Sequence, residues 1–109
     1  MEITITGDAL ILQKSIRDRI EADAQSFANR FNNKPTRIEV KLEEEFDQVK
    51  GHRVRCGLST SLGDSRQILV RESRKKPEDA IAAAFTAAKR TVRRLAVSRS
   101  SAQGLSPAT

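Results

Sequence analysis

The sequence predicts an α+β domain with the element order β-α-β-β-β-α: a four-stranded curved sheet carrying two helices on one face. Three observations carry that expectation. Apolar residues alternate in four short segments, at Ile3/Ile5, Ile38/Val40/Leu42, Val54/Cys56/Leu58 and Ile68/Val70, which is the period of a half-buried strand. Two longer segments repeat apolar residues every three or four positions, the period of a helix with one buried side. A chain of 109 residues, 38% hydrophobic, is long enough to bury one core without disulfides or metals.

The first strand is "EITIT", with Ile3 and Ile5 on one side and Glu2, Thr4 and Thr6 on the other, ended by Gly7-Asp8. Leu12, Ile16, Ile20, Ala24, Phe27 and Phe31 then form one stripe along a helix of roughly 13–32. Asn32-Asn33-Lys34-Pro35 stops that helix, because the residue before a proline resists the helical region. In "TRIEVKLEEE" the apolar residues face in, while Arg37, Glu39, Lys41 and Glu43 face out. The acidic run Glu43, Glu44, Glu45 and Asp47, with Phe46 inside it, reads as a solvated loop leading to the next strand.

In "HRVRCGLST" His52, Val54, Cys56 and Leu58 share one face, and Arg53, Arg55 and Ser59 share the other. Gly63-Asp64 makes a hairpin turn into "RQILVRE", where Ile68 and Val70 point inward. Pro77-Glu78-Asp79 opens the last helix, with proline in the first turn and carboxylates at the positive end of the helix dipole. Ile81, Phe85, Ala88, Val92 and Leu95 line its apolar side. One domain is expected over residues 1–97. The small, polar segment "SRSSAQGLSPAT", residues 98–109, is expected to be a disordered tail.

Several function classes find no support in the residues. The opening "MEITITGD" lacks the basic start and apolar run of a signal peptide. No apolar stretch approaches the ~20 residues that cross a bilayer. The single cysteine, Cys56, has no internal disulfide partner and fits a reducing compartment. A cytoplasmic setting without a membrane partner is expected. The only histidine, His52, has no evident nucleophile or orienting partner for base catalysis. His52 and Cys56 on one strand face are too few ligands for a structural zinc site. The acidic run lacks the spacing and central glycine of a calcium loop. The five glycines are scattered at 7, 51, 57, 63 and 104, so no phosphate-cradling loop exists. The expectation is a protein without enzymatic activity, metal, cofactor or small-molecule substrate.

The charge is more informative. Net charge is +6, but residues 1–50 hold eight Lys/Arg against ten Asp/Glu, whereas residues 51–109 hold twelve against four. Such asymmetry points to one face or end that meets a polyanion. The stretch "AAAFTAAKRTVRRL" concentrates it: Lys89, Arg90, Arg93 and Arg94 fall within six residues. One or two cations would complement the negative end of a helix dipole, but here the cations wrap the helix with no acidic residue to pair with. At 100° per residue, Lys89 and Arg93 flank the apolar stripe and Arg90 and Arg94 lie on the far side. A second cluster, Arg71, Arg74, Lys75 and Lys76, sits where the last strand feeds this helix. Arg53 and Arg55 lie on the outward face of the neighbouring strand, and all ten residues are expected to form one continuous surface. With no Trp or Tyr and only four Phe, the surface has few aromatics for base stacking. It offers phosphate and shape contacts, which suits structured RNA.

The element order, together with "HRVRCGL", "ILVRE" and "AIAAAFTAAKRTVRRL", resembles the ribosome hibernation-promoting factor family, also known as ribosome-associated inhibitors or sigma-modulation proteins. The similarity covers roughly residues 2–96. It implies a stress-response factor that binds rRNA of the small ribosomal subunit in the decoding channel, blocks messenger and transfer RNA, and acts as a monomer when bound. It also implies that Arg90, Arg93 and Arg94 fall where the family carries Arg or Lys, and that Ile81, Val92 and Leu95 fall on core positions. The chain departs from the family at the start of the last helix, "KKPEDAI", and at Asp23, Ser26 and Ala87, where basic residues are common. It is expected to lack the second domain that long members use to pair ribosomes. Two alternatives remain open on the residues alone. One is a structured-RNA-binding module without ribosome preference. The other is a protein-interaction regulator whose acidic segment 43–47 meets a basic partner.

Overall fold

The computed structural model describes residues 2–8, 13–30, 37–61 and 67–105, with side chains placed through Leu95. The elements are β1 (Glu2–Gly7), α1 (Lys14–Arg30), β2 (Arg37–Asp47), β3 (Gly51–Ser61), β4 (Gln67–Arg74) and α2 (Pro77–Leu105). The strands form one open sheet in the order β1-β2-β3-β4. β1 runs parallel to β2, while β2–β3 and β3–β4 are antiparallel. A parallel neighbour requires a crossover rather than a hairpin, and α1 supplies it.

Register places the alternating apolar residues in rows across the sheet. Ile3, Ile38, Thr60 and Ile68 form one row, and Ile5, Val40, Leu58 and Val70 the next. These rows face the buried sides of the helices: Ile16, Ile20, Ala24 and Phe27 from α1, and Ala80, Ile81, Ala84, Phe85, Ala88 and Val92 from α2. Phe27 and Phe85 meet edge to face with ring centroids 6.1 Å apart, a favoured aromatic geometry. The buried polar side chain Thr60 is satisfied, since its hydroxyl donates to the Arg37 carbonyl oxygen at 2.8 Å. The expected α+β architecture, with both helices on one face, is the observed one. Among the described residues nothing packs on the other face of the sheet.

Gly7 ends β1 with φ +145°, and a Cβ there would overlap the Leu42 carbonyl oxygen. The close approach of β1 to β2 thus depends on a residue without a side chain.

One expectation needs correction. The acidic run at 43–47 is strand rather than loop: β2 continues to Asp47, paired rung by rung with β3 down to Asp47↔Gly51. The physical reason is charge. Glu43 and Glu45 face Arg55 and Arg53 across the ladder, and opposite charges on facing strands hold a pairing that apolar alternation does not signal. The backbone of α2 runs on to Leu105 and so takes in Ser98 to Leu105 of the segment expected as a tail. No proline or glycine interrupts it before Gly104, so nothing in the backbone stops the helix earlier. The Gly63-Asp64 turn, the stripe residues Leu12 and Phe31, and the Asn32–Pro35 stop of α1 lie outside the described residues.

Candidate polyanion interface

The ten basic residues singled out in the sequence fall into three groups. The first is on α2, where Lys89 is half-buried and Arg90, Arg93 and Arg94 are exposed. Lys89 borders the apolar stripe through Ala88 and Val92, as helical spacing requires. The first turn of α2 carries Glu78 and Asp79, and no carboxylate follows in the rest of the chain.

The second group is the corner between β4 and α2. Arg74 ends the strand, Lys75 and Lys76 form the exposed bend, and the Lys76 carbonyl accepts from the Ala80 N–H at 3.1 Å to start the helix. At 1.5 Å rise per residue, Lys76 and Arg93 are separated by roughly 25 Å along the helix. The third group, Arg53, Arg55 and Arg71, is on the bare face of the sheet. Each alternates with a residue facing the core, namely Val54, Cys56 and Val70. Strand parity therefore points these three away from the helices. The expected single continuous surface is divided between the two faces of the sheet.

Hydrogen bonds and ion pairs rank the ten. The Arg53 guanidinium donates to the Ser73 carbonyl oxygen at 2.9 Å. Arg55 lies 4.0 Å from Glu43 and 3.8 Å from Glu45. Arg74 donates to the Ser73 carbonyl at 2.7 Å and to Glu72 at 3.1 Å. These three already have partners. Arg71, Lys75, Lys76, Lys89, Arg90, Arg93 and Arg94 have no side-chain hydrogen bond or ion pair among the described residues. A cation without an internal partner offers its whole charge to an incoming phosphate, whereas a paired one must first give up its carboxylate.

The bare face adds residues that the charge count in the sequence passed over. Lys41 and Arg71 flank Gly57 in one row, and the missing side chain leaves a shallow cavity of about 230 Å³ bounded also by Glu39, Glu43 and Leu69. Its mixed signs, with Lys41 3.5 Å from Glu43, make it a poorer phosphate site than α2. The outward position of Lys41 was the signal available in the sequence.

His52 and Cys56 do not form a metal pair. Cys56 is fully buried, and burial pushes its thiol up to about 12, while His52 is exposed with Nε2 3.7 Å from Glu44. Among the described residues no three His, Cys, Asp or Glu side chains gather around a common point. No helix among them is long and apolar enough to cross a membrane.

Fold and charge together define a class: a small α+β domain whose last helix carries exposed arginines with no ion pair among the described residues. The chain belongs to the family described as Sigma 54 modulation protein / S30EA ribosomal protein, whose model matches residues 3–99. That family comprises ribosome-associated factors and is not a known enzyme family. Among solved structures, a ribosomal subunit interface protein from Coxiella burnetii superposes with a TM-score of 0.73 at 9% identity, covering 89% of this chain and 99% of that one. The N-terminal domain of Protein Y from Thermus thermophilus gives a TM-score of 0.69 at 20% identity, covering 87% and 99%. At such identities the likeness is one of fold. No curated protein matches the chain in sequence.

Proposed function

We propose that this protein is a cytoplasmic ribosome-hibernation factor that binds the rRNA of the small ribosomal subunit in the decoding channel and so blocks messenger and transfer RNA. The observation that carries the reading is the acid-free, basic second half of α2, with Arg90, Arg93 and Arg94 exposed and without a partner among the described residues, in a chain of a ribosome-associated family. The mechanism is occupancy rather than chemistry. Guanidinium groups displace counterions from the RNA backbone, and their planar forks fit phosphate oxygens. Lys75 and Lys76 extend the contact beyond the helix, and Arg71 offers a separate contact on the bare face of the sheet. Arg53, Arg55 and Arg74 serve mainly to hold the scaffold. The bound form is a monomer.

The test is co-sedimentation of the purified protein with isolated small subunits across a salt series, with excess transfer RNA as competitor. The reading predicts stoichiometric pelleting that survives the competitor at low salt and fades steeply as salt rises. Complete loss to competitor would instead indicate a structured-RNA-binding module without ribosome preference. Absence of pelleting at low salt would remove the ribosome from the account.

A further inference from the structure

The β2–β3 hairpin outruns the sheet. The last partner of β1 on β2 is Leu42, and the last partner of β4 on β3 is Val54. The rungs Glu45↔Arg53, Phe46↔His52 and Asp47↔Gly51 therefore have no outer strand beside them and extend the ribbon by roughly 10 Å at 3.3 Å per residue. Its tip presents Phe46, 78% exposed, and Val49, 92% exposed, two of the three large exposed hydrophobics among the described residues.

Hydrogen bonds order the backbone of the turn that carries these side chains. The Asp47 carboxylate accepts from the Val49 N–H at 2.7 Å and the Lys50 N–H at 2.8 Å. Gly51 closes the turn with φ +80°, a conformation open to glycine at little cost. A pre-ordered apolar tip loses little entropy on docking. The arm beneath it carries more acid than base toward its end: between residues 43 and 53 four carboxylates stand against Lys50 and Arg53, while Arg55 at its base pairs with Glu43 and Glu45. An RNA backbone gains no net attraction from such an arm, and one phenyl ring is a thin stacking platform. A basic polypeptide with an apolar recess is complementary in both respects.

We infer that the β2–β3 hairpin tip, through Phe46 and Val49 flanked by Glu44 and Glu45, docks on a basic protein component of the small ribosomal subunit while α2 engages the RNA. The inference rests on the ribosome-binding reading above. It gives the molecule two contacts of opposite character, one electrostatic and salt-sensitive, one largely apolar and salt-insensitive.

The test uses isolated small subunits and the full chain. The double variant Phe46→Ala/Val49→Ala should keep the wild-type melting temperature, because both residues are exposed. It should bind subunits with a Kd raised roughly tenfold and an unchanged salt slope. A cysteine-directed photo-crosslinker on Val49→Cys, with Cys56 shielded in the core, should attach to a Lys/Arg-rich ribosomal protein. A crosslink to rRNA alone, a crosslink between two copies of this chain, or a Kd within twofold of wild type would overturn the inference. If the unmodified chain pellets normally in those cases, the docking assignment fails alone; if it does not bind subunits at all, the ribosome-binding reading fails and the docking assignment with it.

Discussion

Reversing charge on α2, with Arg90, Arg93 and Arg94 all changed to Glu, separates an RNA-binding helix from a helix whose cations serve only its own stability. All three residues are exposed, so the core formed by Ile81, Phe85, Ala88 and Val92 stays intact. The size of the effect follows from the number of these cations that have no partner among the described residues. If Arg71, Lys75, Lys76, Lys89, Arg90, Arg93 and Arg94 each neutralise one phosphate, log affinity falls with log salt at a slope of about −5 to −6, taking −0.7 to −0.9 per contact. Removing three contacts leaves a slope of about −3 to −3.5. A fourfold rise in salt then weakens wild-type binding on the order of a thousandfold or more, and the variant on the order of a hundredfold. The assay is equilibrium binding of labelled protein to isolated small subunits between low and moderate salt, with circular dichroism to check folding. Equal slopes for the two proteins would refute the assignment of these arginines to the interface. Loss of the folded spectrum would refute the assignment of the helix faces.

Other predictions concern the scaffold. Gly7→Ala places a Cβ on the Leu42 carbonyl at φ +145° and should cost about 1–3 kcal/mol, read from denaturant unfolding. Phe27→Ala removes a fully buried ring packed on Phe85 and should cost about 3–5 kcal/mol in the same assay. Backbone N–H groups of Lys50 and Val49 hold the Asp47 carboxyl below its ordinary 3.8. A lowered native pKa stabilises the fold fully above that ordinary value, and the stabilisation fades as pH falls toward the native one. Asp47→Ala should therefore melt lower than wild type at neutral pH, and the gap should close in strong acid; a gap independent of pH would contradict the turn assignment. With its thiol pushed up to about 12 by burial, Cys56 should resist alkylation in the folded chain and react once denatured, followed by mass spectrometry.

The elements with strong periodicity were legible in the sequence because their burial is one-sided. Ile38, Val40 and Leu42 alternate cleanly, and Ile81, Phe85, Ala88 and Val92 keep helical spacing, so local pattern and final burial agree. The far end of β2 was not legible. Glu43, Glu44 and Glu45 carry no alternation, and what holds them in a strand is the register opposite Arg55, Val54 and Arg53, a relation between two segments that neither segment states alone. The projecting apolar tip is hidden for the same reason, since the sequence alone reads Phe46 as one residue of a loop. The basic half of α2 was plain as a run of charge. Its separation from Arg53 and Arg55 was not, because it depends on which face of the sheet the helices cover. The parity that points Val54 and Cys56 to the core sends those arginines to the opposite side.

The central claim is that this chain and the decoding ligands occupy the same place on the small subunit. It is tested most directly by binding labelled protein to subunits that are empty or already filled with messenger and transfer RNA, at one salt concentration. The account predicts tight binding to empty subunits, little to filled ones, and displacement of transfer RNA as protein is added. Equal binding to both, with transfer RNA retained, would contradict it and place the basic helix elsewhere on the ribosome.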